Sequence, residues 1–183
     1  MTNGSLGYIA VDGAEGLFRG ASLVVDLRGI PMDFRYTDPI RPTRLERILY
    51  GSALETYLRE ELILDSLIGA VEVKPMIWVC RQPDLLLPIR NIAKNKSLFL
   101  APTNRSPMNA TGNMENAGEN GVYMVQADSV SAPLRVAFPE NTREDEVKQA
   151  VTLLVEAAKT MELLEPFGRV QKALASLGEE IGA

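Results

Sequence analysis

The sequence predicts an α+β fold, a mainly antiparallel sheet with helices packed on it, from three observations. In Ala21–Ile40, Leu23, Val25 and Leu27 alternate with Ser22, Val24 and Asp26, then Ile30, Met32, Phe34 and Tyr36 with Pro31, Asp33 and Arg35. A period of two over both halves is the pattern of a hairpin with one face in a core. A second such pair spans 122–128 and 133–138, and two segments of helical period follow at 142–165 and 167–181. The chain has 183 residues, 46% of them hydrophobic, which suits one α+β domain over residues 1–183.

Residues 6–11 read as a first strand that ends at Asp12-Gly13. Asp26 and Gly29 supply the turn of the first hairpin. Two capping boxes, Thr43…Glu46 and Ser52…Glu55, predict a short helix to Gly51 and a longer one to about Gly69. Beyond Glu61 the longer helix is apolar around most of its circumference, which predicts packing on more than one side or against a partner. Residues 71–80 read as a strand begun or interrupted at Pro75, residues 84–87 as a helical turn limited by Pro88, and residues 97–102 as a strand. Residues 103–121, rich in Asn and Gly, form a flexible loop. Thr142–Asp145 starts the cleanest helix, with Val147, Ala150, Val151, Leu154, Ala158, Met161 and Leu164 on one face. Glu165-Pro166 ends it, and an amphipathic last helix completes a C-terminal helical pair over 142–182.

Composition excludes several chemistries. The chain has no histidine, which removes Ser-His-Asp and Cys-His catalysis and imidazole metal sites. Cys80 is the lone cysteine and follows an apolar strand, so it reads as a buried small hydrophobe. No apolar run approaches the ~18 residues of a membrane span, no secretory segment is evident, and a cytoplasmic protein is expected. Net charge is −5, with no global field toward nucleic acid or anionic lipid. The excess acid lies in residues 111–183, whereas Arg81, Arg90, Lys94, Lys96 and Arg105 face only Asp84 between positions 81 and 105. That basic stretch could meet an acidic partner or this chain's own acidic helix at 143–165.

Few constellations carry chemistry. The glycine run 13–20 lacks the ending of a phosphate loop and no helix follows it, so its glycines serve a turn. Glu72-Val-Lys74 with Asp26 could form the two-carboxylate-plus-lysine arrangement of a Mg²⁺-dependent hydrolase of nuclease type, which needs no histidine. Arg35, Arg41, Arg44 and Arg47 follow the hairpin-to-helix corner and form a candidate interaction surface, with salt bridges to Asp33, Asp38 and Glu46 as the simpler account.

The passages GYIAV, LVVDLRGIPMDFRYTDPIRPTRLERILYG and LLEPFGRV resemble an uncharacterised bacterial family. Its pattern reads here as Gly29-Ile-Pro31-Met-Asp-Phe34-Arg-Tyr-Thr37, then Pro42-Thr-Arg44-Leu-Glu-Arg-Ile48-Leu49-Tyr50-Gly51. No activity comes with that resemblance. The element order is similar to profilin-like folds such as longin and roadblock domains, which are mostly interaction modules. The expectation is therefore a non-catalytic interaction or scaffold subunit of a protein complex, not an enzyme. It works with a protein partner or as a homo-oligomer, without cofactor, and neither nucleic acid nor membrane is an expected partner. The alternatives are the Mg²⁺-dependent hydrolase on Asp26, Glu72 and Lys74, and a small-ligand sensor binding between sheet and helices.

Overall fold

A computed structural model describes residues 3–94 and 96–181. Its strands are β1 (Ser5–Asp12), β2 (Arg19–Asp26), β3 (Pro31–Tyr36), β4 (Ile77–Cys80), β5 (Lys96–Ala101), β6 (Met114–Asn116), β7 (Val122–Val125) and β8 (Leu134–Ala137). They form one sheet in the order β3-β2-β1-β4-β5-β8-β7-β6. The β2–β3 hairpin forms as its alternation predicts, turning at Gly29 with φ of 81°. The sheet itself is mixed rather than mainly antiparallel, because β1 pairs parallel with β4 and β4 parallel with β5 at its centre. Parallel pairs need long crossovers; residues 37–76 carry the chain from β3 to β4, and the segment with the helix at 86–93 carries it from β4 to β5.

The first crossover carries α1 (Arg44–Tyr50), a 3₁₀ turn, α2 (Leu54–Thr56), a π-helical stretch over Tyr57–Leu64 and α3 (Asp65–Ala70). Thr43 and Glu46 form the expected capping box, with Thr43 N donating to Glu46 Oε2 at 2.7 Å and Glu46 N to Thr43 Oγ1 at 3.2 Å. The second box does not form. The chain runs through Ser52 in 3₁₀ conformation into α2, and no side-chain cap is made there. The apolar girdle beyond Glu61 is explained inside the molecule. Leu58, Ile63, Leu64 and Leu67 pack with Ile9, Val11 and Trp78 of the sheet and with Leu85 and Ile89, the latter from α4 (Leu86–Ala93). The opposite face of the sheet is covered by α5 (Glu144–Ala158) and α6 (Glu165–Ile181). Pro166 lies in the first turn of α6 rather than ending α5, which stops at Ala158. Proline is tolerated there because the N–H it lacks has no helical partner.

Two buried polar side chains organise segments that lack regular structure. Asp33, with a side chain 4% exposed, accepts from Glu72 N at 2.7 Å, Val73 N at 3.1 Å and Arg35 Nε at 2.7 Å. It thereby fixes residues 71–76, expected as strand, to the edge strand β3. Gln126, also buried, accepts from Met108 N at 2.8 Å and donates to the carbonyls of Asp128 and Ser131. With Gly112 N bonded to Gln126 O at 2.8 Å, it orders part of the segment 103–121, which contributes β6 against β7.

The bond from Arg35, opposed by desolvation and reinforced by the two backbone donors, holds the Asp33 carboxyl below its usual range. Since the folded value lies under the unfolded one of ~3.9, the stabilisation is present above that value and is lost as pH falls through the folded value. Asp33→Ala should lower the unfolding free energy by about 2 kcal/mol and flatten the acid limb of a stability–pH curve. Burial pushes the Cys80 thiol up to about 12. Iodoacetamide at mildly alkaline pH should therefore modify Cys80 only after denaturation, as read by intact mass.

Candidate nucleic-acid interface

In sheets with parallel strands, ligands gather outside the carboxyl ends of those strands, where side chains and free backbone groups converge. Here β1 ends at Asp12 and β4 leads into Arg81 and Gln82. A cleft of about 490 Å³ opens at that edge, and Asp12, Arg19, Arg81, Gln82, Phe167 and Gln171 contribute to its lining. Arg19 faces Asp12 across the β1–β2 ladder. Its Nε stands 3.7 Å from Asp12 Oδ2, while Nη1 donates to Leu174 O at 2.8 Å. Arg81 lies over the Phe167 ring at 5.6 Å from the centroid. The Gln82 amide clasps the end of β1, accepting from Val11 N at 3.0 Å and donating to Val11 O at 2.8 Å. Asp12 Oδ1 in turn accepts from Ala14 N at 3.1 Å, which fixes the carboxylate at the strand end.

The start of α1 is tied to the same β1–β2 connection. Phe18 and Ile40 exchange backbone bonds of 2.9 and 2.7 Å, pinning the chain before α1 to the β1–β2 connection. A Cβ on Gly16 would lie 2.8 Å from Arg47 Nη2, so this guanidinium rests directly on that connection. Arg41, Arg44 and Arg47 are exposed and have no ion pair among the described residues, so the expected salt bridges to Asp38 and Glu46 do not form. Arg35 is separate from them. It is bound to Asp33 and stands 3.5 Å from Glu72. Arg19 and Arg81 thus line the cleft with a single carboxylate, Asp12, and Arg47 rests on the β1–β2 connection that follows it. Asp84, three residues after Arg81, is engaged by Arg59 at 2.5 Å.

Asp26, Glu72 and Lys74 make no hydrogen bond or ion pair with one another among the described residues. Asp26 pairs with Ser5, at the opposite end of β1 from Asp12, and its carboxylate locks its own turn by accepting from Arg28 N, Ile30 N and the Arg28 guanidinium. Glu72 is exposed beside Arg35, and Lys74 is exposed on the same connection. Among the described residues no group of three His, Cys, Asp or Glu could hold a metal ion. The basic stretch 81–105 divides between the two ends of the sheet. Arg81 joins the cleft, whereas Arg90 and Lys96 reach Thr142 and Gln149 near α5. Sequence reasoning placed Asp12 in a turn and assigned nothing to Arg19, Gln82 or Gln171. The signal that finds them is the parallel pairing of β1 with β4, which makes the residues after each strand neighbours.

No family model and no curated protein matches the chain. Similarity appears in three dimensions. Endonuclease V from Streptomyces avermitilis is similar at 13% identity with a TM-score of 0.60, over 99% of this chain and 84% of that one. Endonuclease V from Bacillus subtilis is similar at 10% identity and a TM-score of 0.63, over 100% and 84%. Ciona intestinalis endonuclease V, in complex with DNA containing an inosine, is similar at 11% identity and 0.59, over 98% and 87%. The likeness spans the whole chain and overturns both the profilin-like expectation and the placement in a family without activity. It also corrects the reading as a non-catalytic scaffold with a protein partner or homo-oligomer, and the expectation that excluded nucleic acid. No helix among the described residues is long and apolar enough to cross a membrane. The sheet and its covering helices have the endonuclease V, RNase H-like fold.

Proposed function

We propose that this chain is a nuclease-like protein that seats nucleic acid across the carboxyl ends of β1 and β4. The observation that carries the reading is the coincidence of an endonuclease V-like fold with a cleft lined by two arginines and one carboxylate, Asp12, at the carboxyl ends of β1 and β4. Guanidinium groups suit phosphate oxygens through paired, charge-assisted hydrogen bonds. Arg81, backed by the Phe167 ring, and Arg19, tethered to Leu174, are held in place before a ligand arrives. In this reading the exposed Arg41, Arg44 and Arg47, before and within α1, extend the phosphate track beyond the cleft. The net charge of −5 is no obstacle, because association follows the local field of a cleft more than the sum over the molecule.

Mg²⁺ fits this cleft only in part. It keeps several waters and is commonly held by one or two carboxylates together with substrate phosphates. Asp12 is the one carboxylate lining the cleft and would be the residue that holds the ion. When bound there, the ion would neutralise developing charge on the phosphate. Asp12 holds its carboxylate at the strand end, and Gln82 keeps that strand end closed against β4. A cytoplasmic single-domain protein over residues 1–183 is part of the proposal, consistent with its lone buried thiol.

The reading predicts that a labelled DNA oligonucleotide, with or without inosine, binds with salt-dependent affinity in fluorescence anisotropy. Arg81→Ala and Arg47→Ala should each reduce the slope of log affinity against log salt by about 1. In Mg²⁺, Asp12→Asn should abolish strand cleavage on a denaturing gel while leaving the oligonucleotide bound. Binding unaffected by both arginine substitutions, or cleavage unaffected by Asp12→Asn, contradicts the proposal.

A further inference from the structure

The basic residues that the cleft leaves unused converge elsewhere. Arg90 and Lys94 in and just after the C-terminal turn of α4, Lys96 and Ser97 at the start of β5, and Thr142 before α5 line a second cavity of about 540 Å³. This volume lies in the range of small-molecule sites. It opens at the amino end of β5, the opposite edge of the sheet from the first cleft. With six residues in β5 at ~3.3 Å each, the two sites are separated by about 20 Å.

Three cations line this cavity, and Glu146 is the one carboxylate among the lining residues. Glu146 is already engaged, since its Oε2 accepts from Arg143 N at 3.1 Å and its Oε1 stands 3.7 Å from the Arg143 guanidinium. Arg90 is held in position, with Nη1 donating to Thr142 Oγ1 at 2.9 Å and to Glu140 O at 3.3 Å. Lys96 is anchored to Gln149. Lys94 differs from both, because its ammonium has no partner among the described residues. Its backbone adopts the left-handed conformation, φ 53° and ψ 26°, fixed by a bond from its N–H to Arg90 O at 3.0 Å.

Cations near the end of α4 offset the negative end of that helix. This accounts for the presence of positive charge but not for a lysine at a left-handed position. Glycine or asparagine would cap the helix there with less strain, and retained strain at a cavity wall is a mark of function.

We propose that this second cavity binds a phosphate-bearing anion, with Arg90 and Lys96 as fixed donors and Lys94 as the ammonium that closes on it. The ligand chemistry is a phosphate ester, supplied either by a free nucleotide or by the backbone of a nucleic acid that extends beyond the first cleft. Isothermal titration of the whole chain with pyrophosphate and with AMP tests the site. In the Arg81→Ala background, which removes a phosphate donor of the first cleft, binding should be saturable and weakened about tenfold by Lys94→Gln. Lys94→Gly, which relieves the backbone strain while removing the ammonium, should weaken binding equally without loss of fold. If Lys94→Gln also weakens oligonucleotide binding, the phosphate comes from the strand; if it leaves that binding unchanged, it comes from a free ester. Absence of saturable binding by both probes, or binding abolished by Arg81→Ala and indifferent to Lys94→Gln, overturns the proposal.

Discussion

The burial of β1 on both faces and its pairing along both edges is the constraint on which the remaining structure depends. Leu6, Tyr8 and Ile9 have no exposed surface, and Val11 is 4% exposed. Tyr8 contacts the Phe167 ring edge-on at 4.9 Å and donates its hydroxyl to Leu163 O at 2.7 Å, tying the strand to the α5–α6 side. Ile9 and Val11 pack on the crossover helices instead. One edge of β1 takes β2 antiparallel, and the other takes β4 parallel. Close approach on the β4 side depends on Gly7, where a Cβ would stand 2.7 Å from Trp78 Cε3 and 2.6 Å from Pro75 Cγ. A strand confined in this way delivers its last residue, Asp12, to a fixed point, and the functional edge is assembled around that point.

Local features of this fold are legible in the sequence, and long-range pairing is not. The β2–β3 hairpin declares itself because alternation, turn residues and register all lie within twenty consecutive residues, Ala21–Ile40. The Thr43–Glu46 box is equally local. The Ser52–Glu55 box is sterically possible but loses to continuation of the chain from α1 through a 3₁₀ turn, whose backbone already satisfies the donors a cap would serve. The four apolar residues of β4 carry no alternation, because both of their faces are buried, so nothing local indicates whether the strand runs parallel or antiparallel. That ambiguity hid the site, since Asp12 and Arg81 lie 69 positions apart in the sequence and meet only through the parallel pairing. The segment 103–121 misleads for another reason. Its order comes from Gln126, a residue outside it.

The acidity of the chain also misdirects a reading based on composition. The excess acid is concentrated in the last third, where Glu144, Asp145 and Glu146 occupy the first turn of α5 and complement its dipole. Those charges lie on a helix at the other end of the chain from the β1–β2 connection. The cleft retains two arginines, Arg19 and Arg81, set by a backbone bond and a ring face, and Arg47 stands beside it on the loop at Gly16. Global charge governs solubility, whereas the sign of a concave edge governs what binds there.

Amide hydrogen exchange of the whole chain with and without a DNA oligonucleotide tests the central claim most directly. Protection is expected to centre on residues 12–19, 41–47 and 81–82 and to fall away as salt is raised. Protection confined to β3 or to the α5–α6 surface, with residues 12–19 and 81–82 unchanged, would contradict it.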